Sequence, residues 1–224
     1  MSLQHSPRII TDGLVLCLDA ANRQSYPGSG TVWRDLAGSN NGTLTNGPTF
    51  SSANRGRIVF DGSNDYINFT SIPDTFWNNG SWSVSLWIYF ATVNKGSDNA
   101  IIGHGTSAVN NGLHLGERAR SIHFGFYAND LGSSAILNAT TWYNIVWTFN
   151  FATKLKQIYL NGGFITSGGS VGYGGTGTTT RIGEYVWSSN VLNGFISNAQ
   201  FYNKVLSPAE IQQNYNATKG RYNL

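Results

Sequence analysis

The sequence predicts an all-β sandwich of two antiparallel sheets with one short C-terminal helix, and three observations carry that reading. Ser81 to Phe90 (SWSVSLWIYF) offers two apolar faces and no charge. Strand alternation puts Trp82, Val84, Leu86, Ile88 and Phe90 on one side and Trp87 and Tyr89 on the other, as a central strand covered on both faces requires. Thr141 to Asn150 (TWYNIVWTFN) has the same character, with Tyr143, Ile145, Trp147 and Phe149 on one face, which makes the two segments natural neighbours in one sheet. Finally, 27 glycines, 13% aromatic and only 11% charged residues in 224 suit many short strands joined by Gly/Asn/Ser turns, and argue against a helical bundle or disorder.

Residues 1–11 read as a polar leader and 12–224 as one domain, a length that β-sandwiches reach as a single unit. The first strand is expected at Leu14 to Asp19. Asn22 to Phe50 is rich in Gly, Asn, Ser and Thr and reads as a long loop anchored by Tyr26, Trp33 and Leu36. Arg57 to Asp61 and Tyr66 to Phe69 flank a Gly-Ser-Asn turn and read as a tight hairpin. Further strands are expected at Ala100 to Gly103, Gly112 to Leu115, Ser121 to Tyr127, Leu155 to Leu160 and Phe164 to Ser167. Gly168 to Thr180, rich in Gly and Thr around a lone Tyr173, reads as a mobile loop. Thr179 to Glu184 and Gly194 to Tyr202 are the closing strands. Ser207-Pro208-Ala209-Glu210 then fits a capping box with Pro at the first helical position, which predicts a helix over Pro208 to Ala217.

The net charge of +3 is spread over scattered basic residues, the tightest pairs being Arg55/Arg57, Arg118/Arg120 and Lys154/Lys156. That leaves no phosphate-tracking stripe, so no nucleic-acid partner is expected. No apolar run approaches a membrane span and no signal peptide is visible, so no membrane partner is expected either. Cys17, the single cysteine, excludes an intrachain disulfide.

Several stretches, in this order, resemble one family. They are VFDGSNDYINF (59–69), SVSLWIYF (83–90), TWYNIVWTFNFATKLKQIYLNGG (141–163) and RIGEYVWSSNVLNGFISNAQFYNKVLSPAEIQQNYNA (181–217). Together they are similar to the laminin-G-like, concanavalin A-like lectin/glucanase jelly rolls, and the opening from Asp12 looks like members found in bacteriophage structural proteins. The resemblance covers residues 12–222. It implies two face-to-face antiparallel sheets and roles in carbohydrate binding, adhesion or viral particle surfaces. In one departure, Ser197 and Asn198 stand where many members carry acidic residues, which weakens a metal or acidic role there.

Glycoside hydrolysis needs two carboxylates facing across a cleft. The Glu-X-Asp-X-X-Glu strand of retaining hydrolases on this fold is absent, Glu210 belongs to the helix cap, and Glu117 and Glu184 have no carboxylate at strand spacing. No catalytic residue is therefore expected. His104, His114 and His123 invite a metal or a base, but His114 and His123 alternate with apolar neighbours and are expected on a solvent-facing side. Asp61 to Asp65 offers oxygens to Ca2+, and a turn needs the same residues; both readings stand, with no other cofactor expected. Sugar recognition pairs an aromatic platform with amide and hydroxyl groups. The stretch containing Tyr185, Trp187 and Asn190 has all of these, and Trp77 with Asn79 is a second, weaker candidate.

These readings converge on a non-catalytic, lectin-like carbohydrate-binding and adhesion module. The expected setting is a virion surface (fibre, tail or capsid) or otherwise extracellular, with cell-surface glycans or other virion proteins as partners and a homo-oligomer left open. A structural decoration or assembly domain without ligand is the alternative, and a glycoside hydrolase the third reading.

Overall fold

The computed structural model describes residues 7–177 and 179–224, so residues 1–6 of the expected leader lie outside the described residues. In chain order the strands are β1 (Leu14–Asp19), β2 (Val32–Trp33), β3 (Gly42–Thr45), β4 (Thr49–Ser51), β5 (Arg57–Asp61) and β6 (Tyr66–Phe69). A short helix, α1 (Asp74–Asn78), leads into β7 (Trp82–Phe90), β8 (Asn99–Gly105), β9 (Gly112–Arg118), β10 (Ser121–Gly125) and β11 (Asp130–Gly132). The chain closes with β12 (Trp142–Asn150), β13 (Leu155–Leu160), β14 (Gly163–Gly169), β15 (Thr180–Ile182), β16 (Asn193–Tyr202) and α2 (Pro208–Thr218).

Two eight-stranded antiparallel sheets result. The first runs β14-β13-β12-β7-β16-β5-β4, with β1 also on β16; the second runs β11-β10-β9-β8-β15-β6-β3-β2. As the sequence predicts, β7 is central, between β12 and β16, and it pairs with β12 from Trp142 opposite Tyr89 to Phe149 opposite Trp82. Trp82, Val84, Leu86, Ile88 and Phe90 face inward with Tyr143, Ile145, Trp147 and Phe149, against Ile67, Phe69, Leu113, Leu115, Ile122 and Phe124 of the second sheet. Burying each such side chain contributes about 1.5–3 kcal/mol, which makes this inter-sheet layer the main source of stability.

The other face of the first sheet is covered by α2. Ser207 caps it reciprocally with Glu210 and Pro208 opens its first turn, as expected from the capping box. Its Ile211 joins Val146, Tyr159, Tyr202 and Leu206 in a second apolar cluster.

Four expectations need correction. The turn at residues 62–65 does not close a hairpin, because β5 pairs in the first sheet and β6 in the second; the chain crosses between layers there. The Asn22–Phe50 stretch contains β2 and β3 and runs into β4, and while Tyr26 and Trp33 anchor it, Leu36 is exposed. Tyr173 is buried, its hydroxyl 2.8 Å from His104 Nδ1 and donating to backbone oxygen, so this part of the Gly/Thr-rich segment is pinned rather than loose. To the single C-terminal helix expected the fold adds the one-turn α1 before β7, where Phe76 and Trp77 pack on Trp82 and Phe201.

Candidate functional site

The outer face of the second sheet is built from the alternate positions of β8, β9 and β10. Where Leu113, Leu115, Ile122 and Phe124 point into the core, Gly112, His114, Gly116, His123 and Gly125 point away from it. The glycines make a floor without side chains. A Cβ on Gly103 would meet the Tyr185 backbone at 2.6 Å, one on Gly112 the Trp187 ring at 3.0 Å, and one on Gly116 would overlap the Tyr185 hydroxyl. Any larger residue at these positions would lift the loop that lies on them.

That loop, residues 183–191, joins β15 of the second sheet to β16 of the first. Gly183 (φ 97°) starts it, the Glu184–Val191 bridge closes its base, and the Tyr185 N–H donates to Asn190 O at 3.2 Å. Residues two apart then lie side by side: the Tyr185 and Trp187 rings are stacked, with centroids 6.0 Å apart and planes at 16°. Tyr185 is buried, while Trp187 is half-buried and faces Tyr127, an exposed ring 6.5 Å away and edge-on. A cleft of about 430 Å³ opens beside them, lined by Tyr127, Tyr185, Trp187, Ser188 and Asn190 and, on its other wall, Asp98, Ser107, His114 and Arg118. Its size suits a small ligand.

The polar wall is organised by charge. Arg118 donates to both oxygens of the buried Asp98, each at 2.8 Å, in the two-pronged geometry that fixes a guanidinium. Burial pushes the Asp98 carboxyl up, but the Arg118 bonds outweigh it and its pKa is lowered. His114 donates from Nδ1 to Gly112 O at 2.9 Å when that nitrogen carries the proton, and its Nε2 lies 3.3 Å from Asp130. His123 stacks on His114 at 4.8 Å, with its own Nε2 3.4 Å from the same carboxylate. Burial is the largest influence on His123 and lowers its pKa. The Tyr185 hydroxyl is buried on the glycine floor, beside the Asp98–Arg118 pair, and burial pushes its pKa well up.

Of the residues singled out from the sequence, the fold brings Tyr185, Trp187 and Asn190 together on one cleft. Trp77 does not join them: it is fully buried, its indole N–H donating to Thr180 Oγ1 at 2.9 Å, and it offers no face to a ligand. Asn79 is exposed in the turn after α1. The expected exposure of His114 and His123 is also overturned. They occupy the outer face, but Asp130 and the Tyr185–Trp187 loop pack over that face and bury them. Glu117 is buried, accepting from Asn99 Nδ2 at 2.7 Å, and Glu184 pairs with Arg181. At residues 61–65 the turn is formed, with Asp61 accepting from the Ser63 N–H at 2.8 Å and Asp65 from the Asp61 N–H at 3.0 Å.

Sequence reasoning missed Asp98, Arg118, Tyr127 and Asp130. The one available signal was the shared face of Gly112, His114, Gly116 and Arg118 in GLHLGER, where glycines alternating with polar residues mark a floor that something else covers.

The fold is similar to that of a sialidase from Trypanosoma rangeli in complex with 2,3-difluoro-KDN (TM-score 0.67, 15% identity, 93% of this chain and 33% of that one). It also matches domain 4 of AbnA, a GH43 extracellular arabinanase from Geobacillus stearothermophilus, in complex with arabinotriose (TM-score 0.67, 16% identity, 90% of this chain and 98% of that one). A third likeness is to the receptor binding domain of botulinum neurotoxin type G (TM-score 0.65, 13% identity, 91% and 51%). At such identities these likenesses speak for the fold alone, and the chain spans about a third of the length of the sialidases it matches. No curated protein matches the sequence. Residues 61–212 match the family described as the concanavalin A-like lectin/glucanases superfamily, and the chain belongs to that superfamily.

Proposed function

We propose that this protein is a non-catalytic carbohydrate-binding module and that the cleft beside Trp187 holds the sugar. The observation that carries the reading is the half-buried Trp187 ring, held parallel to Tyr185 over a cleft whose other wall is polar. A ring face suits the C–H side of a pyranose or furanose, while Asn190, Ser188 and the Asp98–Arg118 pair suit its hydroxyls. Domain 4 of AbnA, solved with arabinotriose, supports the same class of ligand on this fold.

The non-catalytic part rests on the carboxylates. A general acid needs a raised pKa, whereas the cleft's Asp98 is held down by Arg118, and Glu117 and Glu184 are committed to Asn99 and Arg181. The setting on a phage or other virion surface rests only on the resemblance of the opening segment. The second reading is a ligand-free decoration domain, in which the packing of Trp187 on Tyr185 and over Gly112 serves the fold alone.

A glycan array read with and without calcium tests both. Binding to a defined glycan class, weakened at least tenfold in Trp187→Ala while the melting temperature moves by only a few degrees, is the expected result. A strongly lowered melting point for that variant, or unchanged binding, would return Trp187 to the core and favour the decoration domain. Release of reducing ends from any bound polysaccharide, lost in Asp98→Asn, would overturn the non-catalytic reading.

A further inference from the structure

The cluster of His114, His123 and Asp130 lies at the end of the outer face, on β9, β10 and the edge strand β11. One nitrogen from each imidazole and one carboxylate oxygen all lie within 4.8 Å of one another. His114 Nε2 is 3.3 Å from Asp130 Oδ1, and His123 Nε2 is 3.4 Å from Asp130 Oδ2. Zinc binds such atoms at about 2.0–2.2 Å, which at tetrahedral angles sets neighbouring ligands about 3.4 Å apart. Each imidazole has this separation from one oxygen of Asp130, His114 from Oδ1 and His123 from Oδ2, and because the three ligand atoms already lie within 4.8 Å of one another the set needs to close by no more than about 1.4 Å.

The hydrogen bonding points the same way. With Nδ1–H of His114 turned to Gly112 O, the neutral ring presents a lone pair at Nε2 to a carboxylate oxygen. Two acceptors at 3.3 Å repel unless a proton or a metal lies between them. The bond to Gly112 is also the outer-shell contact that orients metal-binding imidazoles. His123 Nε2 is buried and, 3.4 Å from Asp130 Oδ2, is held by no close hydrogen bond. A buried polar atom left without a partner calls for an ion or water. Gly125 lets the groups meet, since a Cβ there would overlap His114 Nε2.

We propose that His114 Nε2, His123 Nε2 and Asp130 bind one divalent transition-metal ion of the zinc class. Two imidazoles and one carboxylate select zinc, cobalt or nickel over calcium or magnesium, which take oxygen ligands. Arg118 Nη1, 3.5 Å from Asp130 Oδ2, opposes a second cation, but Asp98 neutralises it; Lys156 Nζ is turned to Asn129 O. Three protein ligands leave a position open to water or a hydroxyl, and His114 belongs to the cleft wall as well. The metal site stands on its own geometry and does not depend on the glycan reading.

Chelator-treated full-length protein titrated with Co2+, followed by displacement with Zn2+, tests it directly. One Co2+ per chain with the visible absorption of a four-coordinate site, displaced by Zn2+ and unaffected by excess Ca2+, is the expected result. Asp130→Asn, at an exposed edge position, and His123→Gln should each weaken Zn2+ binding at least tenfold, and Asp61→Asn, at the exposed turn after β5, should leave it unchanged. Circular dichroism establishes that the variants fold, and Asp130→Asn carries the test alone if His123→Gln does not. Absence of stoichiometric Co2+ and Zn2+ binding, binding that survives Asp130→Asn, or binding lost in Asp61→Asn would each overturn the site.

Discussion

The two sheets turn opposite kinds of outer face to their surroundings. On the first, Trp87 stacks on Tyr222 with centroids 4.0 Å apart and lies 5.7 Å from Tyr215, while its indole N–H donates to Thr218 Oγ1 at 2.8 Å. Large apolar side chains project from the strands, and the C-terminal helix buries them. On the second, the strands project glycines and histidines, and the 183–191 loop and Asp130 lie over them. Both faces carry stacked aromatic pairs, but one pair is a seal and the other borders a cleft. What separates them is the side chains beneath: a bulky layer draws a helix onto itself, and a glycine floor leaves room for a ring and a ligand.

The comparison breaks first where the seal is tested. Trp87→Ala removes a fully buried indole with its hydrogen bond and should destabilise the fold by about 3–5 kcal/mol, read as a large fall in the urea midpoint, without a specific effect on glycan affinity measured at full folding. A loss of only a few tenths would mean that the helix is a loose cover and the two faces are not so different.

On the open face the floor can be tested with a single methyl group. Gly116→Ala would set a Cβ 2.6 Å from Asn99 O and on top of the Tyr185 hydroxyl, so it should cost about 1–3 kcal/mol and displace the loop. The fluorescence of Trp187, compared with the same change in a Trp187→Phe background, reports that displacement. An unaltered spectrum with full stability would show that the glycine floor does not position the loop.

The smallest effect lies where the sheet edges meet. Lys156 of β13 is buried, its ammonium bonded to Asn129 O at 2.6 Å and 4.0 Å from the centroid of the Phe126 ring. Burial pulls its pKa down to about 7, against an opposing pull from Asp130. Between that value and the ordinary lysine range the unfolded chain binds the proton that the folded chain has released, so stability rises with pH from about 7 upward. Below pH 7 both states hold the proton and the slope from this group vanishes. Lys156→Met should flatten the rise measured by denaturant titration between about pH 7 and pH 9; an unchanged slope would place its source elsewhere.

Much of this molecule is written locally. Alternation in Ser81 to Phe90 and Thr141 to Asn150 determined the central strands and their pairing, because a strand buried on both faces leaves no other placement for so many aromatics. Ser207 to Glu210 determined the start of α2 through bonds that span only three residues. The sequence also marked Tyr185, Trp187 and Asn190 as one polar, aromatic loop. It did not separate Trp77 from Trp187, since both stand among asparagines or serines and only packing against Trp82 and Phe201 makes one of them core. Nor did it join His114, His123 and Asp130, or Asp98 and Arg118, whose meeting depends on the register of β9 against β10 and on the return of β11 along the edge. Periodicity reports which side of a strand a residue faces; what covers that side is decided by segments distant in sequence, and only the tertiary structure brings those together.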